Sequence, residues 1–168
     1  RWRHEVLGRI SPSRFIPLAE ELGLIDEIGR FALDTVCNDI SFLDNHGMGH
    51  LKFSLNISAR QFNDEQLVAK FHSRLREGNC SPSRFEMEIT ESVAMENSNR
   101  TRRQLEELQQ LGFGVTIDDF GTGYSSLNYL KRFPIQKLNI DKGFVRHCLT
   151  DEQDTSSIKA IISMANSL

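Results

Sequence analysis

Several features that would assign a chain quickly to a class are scarce here. The three cysteines, Cys37, Cys80 and Cys148, are odd in number, widely spaced and in no C-x-x-C pair. That excludes a disulfide framework and a structural zinc site, and suits reduced, buried thiols. No window approaches the roughly 18 apolar residues of a membrane-spanning helix, and Arg1-Trp2-Arg3-His4 does not lead into a signal-peptide core. The expectation is a cytoplasmic chain with no direct membrane contact, in a parent protein that is free to be membrane-tethered. A large excess of one charge is also missing. A net charge of -3 gives no electrostatic reason to hold a nucleic-acid polymer or an anionic surface, so a nucleotide ligand needs local groups or metals. There is no low-complexity tract and no long linker, so 168 residues, 39% hydrophobic and 26% charged, predict one globular domain over residues 1–168.

What is present is a repeated change of period. Ser11-Pro12 predicts a helix start, with Phe15, Ile16, Leu18, Ala19 and Leu22 on an apolar face that stops at Gly23. A longer helix follows, with Ile25, Ile28, Ala32, Leu33, Val36, Ile40 and Leu43 in step, ending at Gly47-Met48-Gly49. From Leu51 to Ser58 the pattern alternates, which predicts a strand. Strands are likewise expected at Phe85–Thr90, Phe113–Asp118 and Lys137–Asp141. Helices are expected after Asn63-Asp64, after Asn97-Ser98, around Leu127, Leu130 and Phe133, and from Ile158 to Leu168. Phe15, Phe31, Phe53, Phe71, Phe85 and Phe113 fall on the predicted core faces.

Successive strand–helix units predict a parallel sheet with right-handed crossovers, either an open doubly wound sheet or part of a (β/α) barrel. An open sheet covered on both faces has nearly continuous apolar strands. Every strand here keeps a polar face, which ends in Asn56, Glu88, Asp118 and Asn139. Such side chains point into a barrel and gather at its C-terminal mouth, so the α/β barrel is the expected fold.

The richest stretch is Ile117-Asp118-Asp119-Phe120-Gly121-Thr122-Gly123-Tyr124-Ser125-Ser126-Leu127. An isolated Asp-Asp is more often a solvated turn with a helix cap. Here, however, Asn56, Glu88, Asp118 and Asp119 are all oxygen donors at predicted strand ends, a set suited to Mg²⁺ or Mn²⁺. A phosphodiester is the substrate class such ions serve, two of them stabilising the attacking and leaving oxygens.

The chain also resembles a known family. Arg1-Trp2, Ser11-Pro12-Ser13-Arg14-Phe15-Ile16-Pro17-Leu18-Ala19-Glu20, Asn56-Ile57-Ser58-Ala59-Arg60-Gln61-Phe62, Glu88-Ile89-Thr90-Glu91-Ser92, the Asp118–Leu127 stretch and Leu138-Asn139-Ile140-Asp141 resemble, in order and spacing, the EAL domain of bacterial cyclic di-GMP phosphodiesterases. The resemblance runs the whole length. It implies a TIM-like (β/α)₈ barrel of the EAL type that hydrolyses cyclic di-GMP to linear pGpG with two Mg²⁺ or Mn²⁺ ions. By that resemblance Asn56, Glu88, Asp118 and Asp119 are metal ligands, Arg1 contacts a ligand phosphate and Gln61 lies near the ligand. Glu91 matches the acid that anchors the loop after Asp119. That loop, 120–126, with its following helix is linked in the family to a homodimer, and cyclase or sensor domains are expected in the parent protein.

Three departures matter. The family's name-giving Glu-x-Leu would precede Arg1, and its later Glu-Gly-Val-Glu and Gln-Gly strands would follow Leu168. A complete barrel typically needs about 250 residues, so an incomplete one is expected, from about the end of strand 2 to helix 6. Inside the chain, the family's catalytic lysine is Asn139. A neutral amide does not polarise an attacking water as an ammonium does, and losing such a group commonly costs roughly 10² to 10⁴ in rate. Lys137 has the same parity as Asn139 about 7 Å back along the strand. It offers either a rescue by reaching upward or, more simply, a pair with an inward acid. Two function classes follow: a phosphodiesterase domain, negligibly active as this fragment, or a degenerate EAL domain that acts as a cyclic di-GMP receptor or protein-interaction module.

Other motifs carry less. Asp119-Phe120-Gly121 has no Gly-rich ATP loop before it, Gly121-x-Gly123 lacks a third glycine, and glycines separate His46 from His50. Trp2 is divided evenly between core packing and guanine contact.

Overall fold

The computed structural model describes residues 2–96, 98–123 and 130–167. It opens with a small antiparallel hairpin of β1 (Trp2–His4) and β2 (Gly8–Ile10). Three-residue strands leave no period to read, and the sequence did not predict this pair. Trp2 is 44% exposed and packs edge-on against Phe15, ring centroids 5.7 Å apart, so it takes part in local packing. Helix α1 (Pro12–Glu21) begins where Ser11-Pro12 predicts, although the Ser11 hydroxyl meets that of Ser13 at 2.7 Å and bonds no helix amide. Helix α2 (Ile25–Asn45) carries Asp26 and Glu27 in its first turn, where the helix dipole favours acids.

The central sheet is β3 (Phe53–Asn56), β4 (Phe85–Thr90), β5 (Gly114–Phe120) and β6 (Lys137–Ile140), all parallel and in the order β3-β4-β5-β6. Strict sequence order has no switch point. It is the arrangement of a barrel wall and lacks the reversal that marks a doubly wound sheet. Between the strands run α3 (Ala59–Phe62), α4 (Leu67–Glu77), α5 (Glu91–Glu96) and α6 (Ser98–Gln110), and after β6 come α7 (Lys142–His147) and α8 (Glu152–Ala165).

Alternation divides each strand between two environments. Phe85, Met87 and Ile89 on β4 and Val115 and Ile117 on β5 join Leu33, Leu75, Leu105 and Leu108 from the helices, all at most 1% exposed. Burying each of these large side chains contributes about 1.5–3 kcal/mol, so the sheet–helix layer carries most of the fold. The residues between them, such as Glu86 and Glu88, face the other side, which is the barrel interior. Gln104 Nε2 donates to the Asp64 carbonyl at 3.0 Å and ties α6 to the loop before α4.

Several expectations need correction. Phe31 is 73% exposed, and on α1 Leu18 and Leu22 are 52% and 64% exposed, with only Ala19 fully buried. Helical period identified the apolar faces, but among the described residues these positions are only partly covered. Asn63-Asp64 starts the turn into α4 without capping it: Gln66 holds the cap position, and Asp64 Oδ1 accepts from the Gln66 amide at 2.9 Å. Cys37 and Cys80 are buried, whereas Cys148 is only half-buried. The expected cap at Asn97, most of the helix expected around Leu127, and Leu168 lie outside the described residues. No helix among the described residues is long and apolar enough to cross a membrane.

Candidate active site

Register decides which donors share a rim. Asn56 on β3 is the direct partner of Glu88 on β4, and Glu88 is the partner of Thr116 on β5. Asp118 pairs with Thr90, two residues beyond Glu88, so it stands one inward layer nearer the mouth with the same parity. All three therefore lie on one face of the sheet. Asn56 is exposed, and Glu88 and Asp118 are half-buried.

Asp119 reaches that rim by a different device. The β5–β6 ladder pairs Ile117 with Leu138 and Phe120 with Ile140, with a register break between. Two residues, Asp118 and Asp119, thus stand opposite the single residue Asn139, which is a β-bulge. Asp119 takes φ +51°, a left-handed conformation that aspartate tolerates better than most residues. The bulge breaks the alternation that would otherwise send neighbouring side chains to opposite faces.

The electrostatics are those of an acid-rich rim. Asp119 is itself exposed, but partial desolvation raises its carboxyl above the ordinary range, and the neighbouring Asp118 and Asp141 raise it further, with Lys142 offsetting part of the effect. Asn139 Nδ2 donates to Glu88 Oε1 across 3.5 Å, a long contact. Asp141 was legible as the next polar residue of its strand and as the last residue of the Leu138–Asp141 motif, with no role assigned to it. Its carboxylate faces Asp119 and also caps α7, accepting from the Gly143 amide at 2.7 Å. The D-x-G spacing of Asp141 and Gly143 was the available signal for that cap.

Glu91, 1% exposed, opens α5 directly after β4. Its Oε2 accepts from the Gly121 amide at 2.8 Å and the Gly123 amide at 3.3 Å. A side chain at Gly123 would place its Cβ 2.9 Å from Glu91 Oε1, so glycine is what lets this loop close on the carboxylate. On its other side Gly121, at φ +101°, lies under Phe144 of α7 and Ile161 of α8.

Gln61 and Lys137 are both engaged within the protein. Gln61 is 5% exposed and engaged within the protein: Oε1 accepts from the Ser58 amide at 3.3 Å, and Nε2 donates to the Ile25 carbonyl at 3.3 Å. Ser58 Oγ in turn accepts from the Gln61 amide at 3.2 Å, completing a capping box for α3. Ser-Ala-Arg-Gln is the S-x-x-Q signature of that box, so the sequence carried the structural reading of Gln61 as well as the ligand one. Lys137 does not reach the rim. Its Nζ meets Glu86 Oε2 at 2.5 Å one layer down, where Lys52 approaches the same carboxylate at 3.7 Å. Lys137 above all holds the Glu86 carboxyl below its ordinary range. Arg1 and residues 124–126 of the loop lie outside the described residues.

The donor set is therefore a rim of one amide and three carboxylates. Among the described residues no three His, Cys, Asp or Glu side chains converge closely enough to hold an ion by themselves. A cavity of about 540 Å³ lies elsewhere, between α2 and α4. Four of its lining charges are paired with one another, Lys70 to Asp64 at 2.6 Å and Arg74 to Glu77 at 2.7 Å, so the strand ends remain the better site despite that volume.

A family model described as EAL domain matches residues 1–168. Among curated proteins, the bifunctional diguanylate cyclase/cyclic di-GMP phosphodiesterase MucR of Pseudomonas aeruginosa is 40% identical over 168 residues, which are 100% of this chain and 24% of MucR. The cyclic di-GMP phosphodiesterase NbdA of the same organism is 38% identical over 168 residues, 100% of this chain and 22% of NbdA. The chain thus spans about a quarter or less of these relatives. The solved PaMucR phosphodiesterase, in complex with c-di-GMP, matches with a TM-score of 0.96 at 40% identity, over 99% of this chain and 68% of that one. The EAL enzyme Bd1971 in its cAMP- and cyclic-di-GMP-bound form matches at 0.89 and 28% identity, over 99% and 46%. With a parallel four-stranded sheet in strict sequence order as part of a (β/α)₈ barrel, this chain belongs to the EAL domain family.

Proposed function

We propose that this domain binds cyclic di-GMP at the strand-end rim and belongs to a phosphodiesterase that opens it to linear pGpG. The observation that carries the reading is the shared face of Asn56, Glu88 and Asp118, with Asp119 brought beside them by the bulge. A cyclic dinucleotide brings two phosphodiesters, and relatives at 38–40% identity bear the phosphodiesterase name.

Divalent ions suit this rim in kind. The donors are hard oxygens, and the Asp119 carboxyl is raised first by desolvation and then by Asp118 and Asp141, neighbouring charges that a cation would relieve. Asn56, Glu88, Asp118 and Asp119 are the residues that would hold Mg²⁺ or Mn²⁺. When bound, such ions neutralise phosphate charge and lower the pKa of water. The chain's own contribution is positional. Glu91 fixes Gly121 two residues beyond Asp119, and Asp141 braces the far side of the same acid. By this reading Glu91 anchors the loop through which two copies associate. Gln61 enters as a support of α3, whose short helix follows Asn56, and Arg1 as a phosphate contact.

Asn139 favours a second reading, a receptor that binds without turnover. Its amide donates a hydrogen bond to Glu88 but brings no positive charge, and the nearest ammonium on its strand, Lys137, is held by Glu86. The experiment is calorimetry of the folded 168-residue chain with cyclic di-GMP in Mn²⁺, paired with chromatography for pGpG. Binding with little turnover is the expected result for this chain. Brisk pGpG release would remove the receptor reading, and a folded chain that neither binds nor hydrolyses would overturn both. Cyclase or sensor domains belong to the same proposal, since MucR carries a cyclase name and this chain matches only part of it.

A further inference from the structure

The third element of chemistry in the chain lies outside the barrel mouth, where two of its three thiols meet. Cys37 sits in the middle of α2 and Cys80 in the turn between α4 and β4, and both are buried, at 6% and 8% exposure. Cys80 Sγ lies 3.7 Å from the Cys37 carbonyl oxygen and 3.4 Å from that of Gly78. Gly78 is what allows the approach: a Cβ there would stand 3.1 Å from Cys37 Cβ and 3.2 Å from its sulfur. Together these contacts place two reduced thiols side by side, the Cys80 sulfur resting on the Cys37 backbone and interacting with the Cys37 side chain.

We propose that Cys37 and Cys80 form an oxidisable dithiol, which a peroxide converts into an intramolecular disulfide joining α2 to the entry of β4. The Cys80 sulfur attacks one peroxide oxygen, the O–O bond breaks, and the departing oxygen leaves as water after protonation, with Cys80 as the sulfenic acid. The Cys37 sulfur then attacks the Cys80 sulfur, the S–O bond breaks, and the second water carries away the Cys37 proton. Two thiols and one peroxide thus give one disulfide and two waters. Cys80 is the first to react because it lies in a turn. Cys37 is enclosed by its helix, and burial together with the Cys80 side chain pushes its thiol up to about 12, which keeps it protonated until a sulfenic partner is in contact. Oxidation is accordingly slow, on the scale of the slower disulfide reactions, minutes to hours.

The bridge would close the chain from residue 37 to residue 80, a segment that contains β3, α3 and α4. Its consequence is reduced freedom of α2 against the strand that carries Glu86 and Glu88. It is a feature of the outer wall and does not rest on the ligand assigned to the rim.

The test is hydrogen peroxide treatment of the folded 168-residue chain, followed by alkylation and non-reducing peptide mass spectrometry. The expected result is a peptide pair joined through Cys37 and Cys80, lighter by two hydrogens, reversed by dithiothreitol and unchanged in Cys148→Ser. That bridge should also raise the urea midpoint relative to the reduced protein. Sulfinic or sulfonic acid on separate cysteines, cross-links confined to Cys148, or a Cys37–Cys80 pair that forms only after denaturation would overturn the proposal.

Discussion

Replacing Glu91 tests how the site loop is held. The carboxylate is 1% exposed, and its Oε2 takes the Gly121 amide at 2.8 Å and the Gly123 amide at 3.3 Å. A hydrogen bond to a charged group contributes about 1.5–3 kcal/mol. Counting the short bond in full and the longer one at about half, Glu91→Ala removes roughly 2–4 kcal/mol of local stability. At about 1.4 kcal/mol per factor of ten, that corresponds to amide exchange at Gly121 and Gly123 faster by on the order of 10²-fold. Glu91→Gln keeps an acceptor without the charge and should lose about half as much free energy. Hydrogen exchange followed by NMR reads both amides directly, with Met87 and Ile89 on β4 as internal references for the core. Unchanged exchange at Gly121 in Glu91→Ala, with the core equally protected, would refute the idea that this carboxylate fixes the loop.

Other consequences are open to the same kind of check. Asp119→Asn removes an ionisation that partial desolvation, Asp118 and Asp141 disfavour, and asparagine accepts the +51° φ; metal-free thermal melting should shift upward while Mn²⁺ ceases to stabilise, and a metal-free melting point below wild type would contradict this. Gly121→Ala puts a Cβ 2.8 Å from Phe144 and 3.0 Å from Ile161 at φ +101°, so urea unfolding should show a loss of about 1–3 kcal/mol, and a neutral variant would be the contrary result. The Lys70 side chain, 2.6 Å from Asp64, holds that carboxyl below its ordinary range. Since the folded state releases this proton more readily than the unfolded one, the pair's contribution is present above the ordinary aspartate value and is lost as pH falls through the folded one. Being partly exposed it amounts to no more than about 1 kcal/mol, and Lys70→Met should flatten the acid limb of a stability–pH curve by that much.

Much of the site was legible because parity is a local property. Asn56, Glu88 and Asp118 occupy the polar positions of alternating strands, and alternation alone sends them to one face. What made Asp119 their neighbour was not legible. A bulge opposite Asn139 depends on how β5 and β6 register, and register is settled by strands that are distant in sequence. Gln61 illustrates the opposite case: the S-x-x-Q box was written in the sequence, and the resemblance to the family drew attention to the ligand instead. Phe31 and Leu22 show the limit of helical period, which marks an apolar face without saying whether anything packs on it. Lys137 was decided by the reach of its side chain. It registers with Thr116 and so lies level with Glu88, yet its long stem carries the ammonium down to Glu86, two residues deeper, and leaves the rim without an ammonium from this strand.

The central claim is that donors from successive strands act together on one cation. Titrating Mn²⁺ into the isotope-labelled 168-residue chain tests it most directly, because the paramagnetic ion broadens signals of whatever surrounds it. Resonances of Asn56, Glu88, Asp118 and Asp119 should broaden together at one low Mn²⁺ concentration, with Asn139 affected beside them. Broadening centred on the α2–α4 groove around Asp26, Asp64 and Glu77, or none at the strand ends, would contradict it.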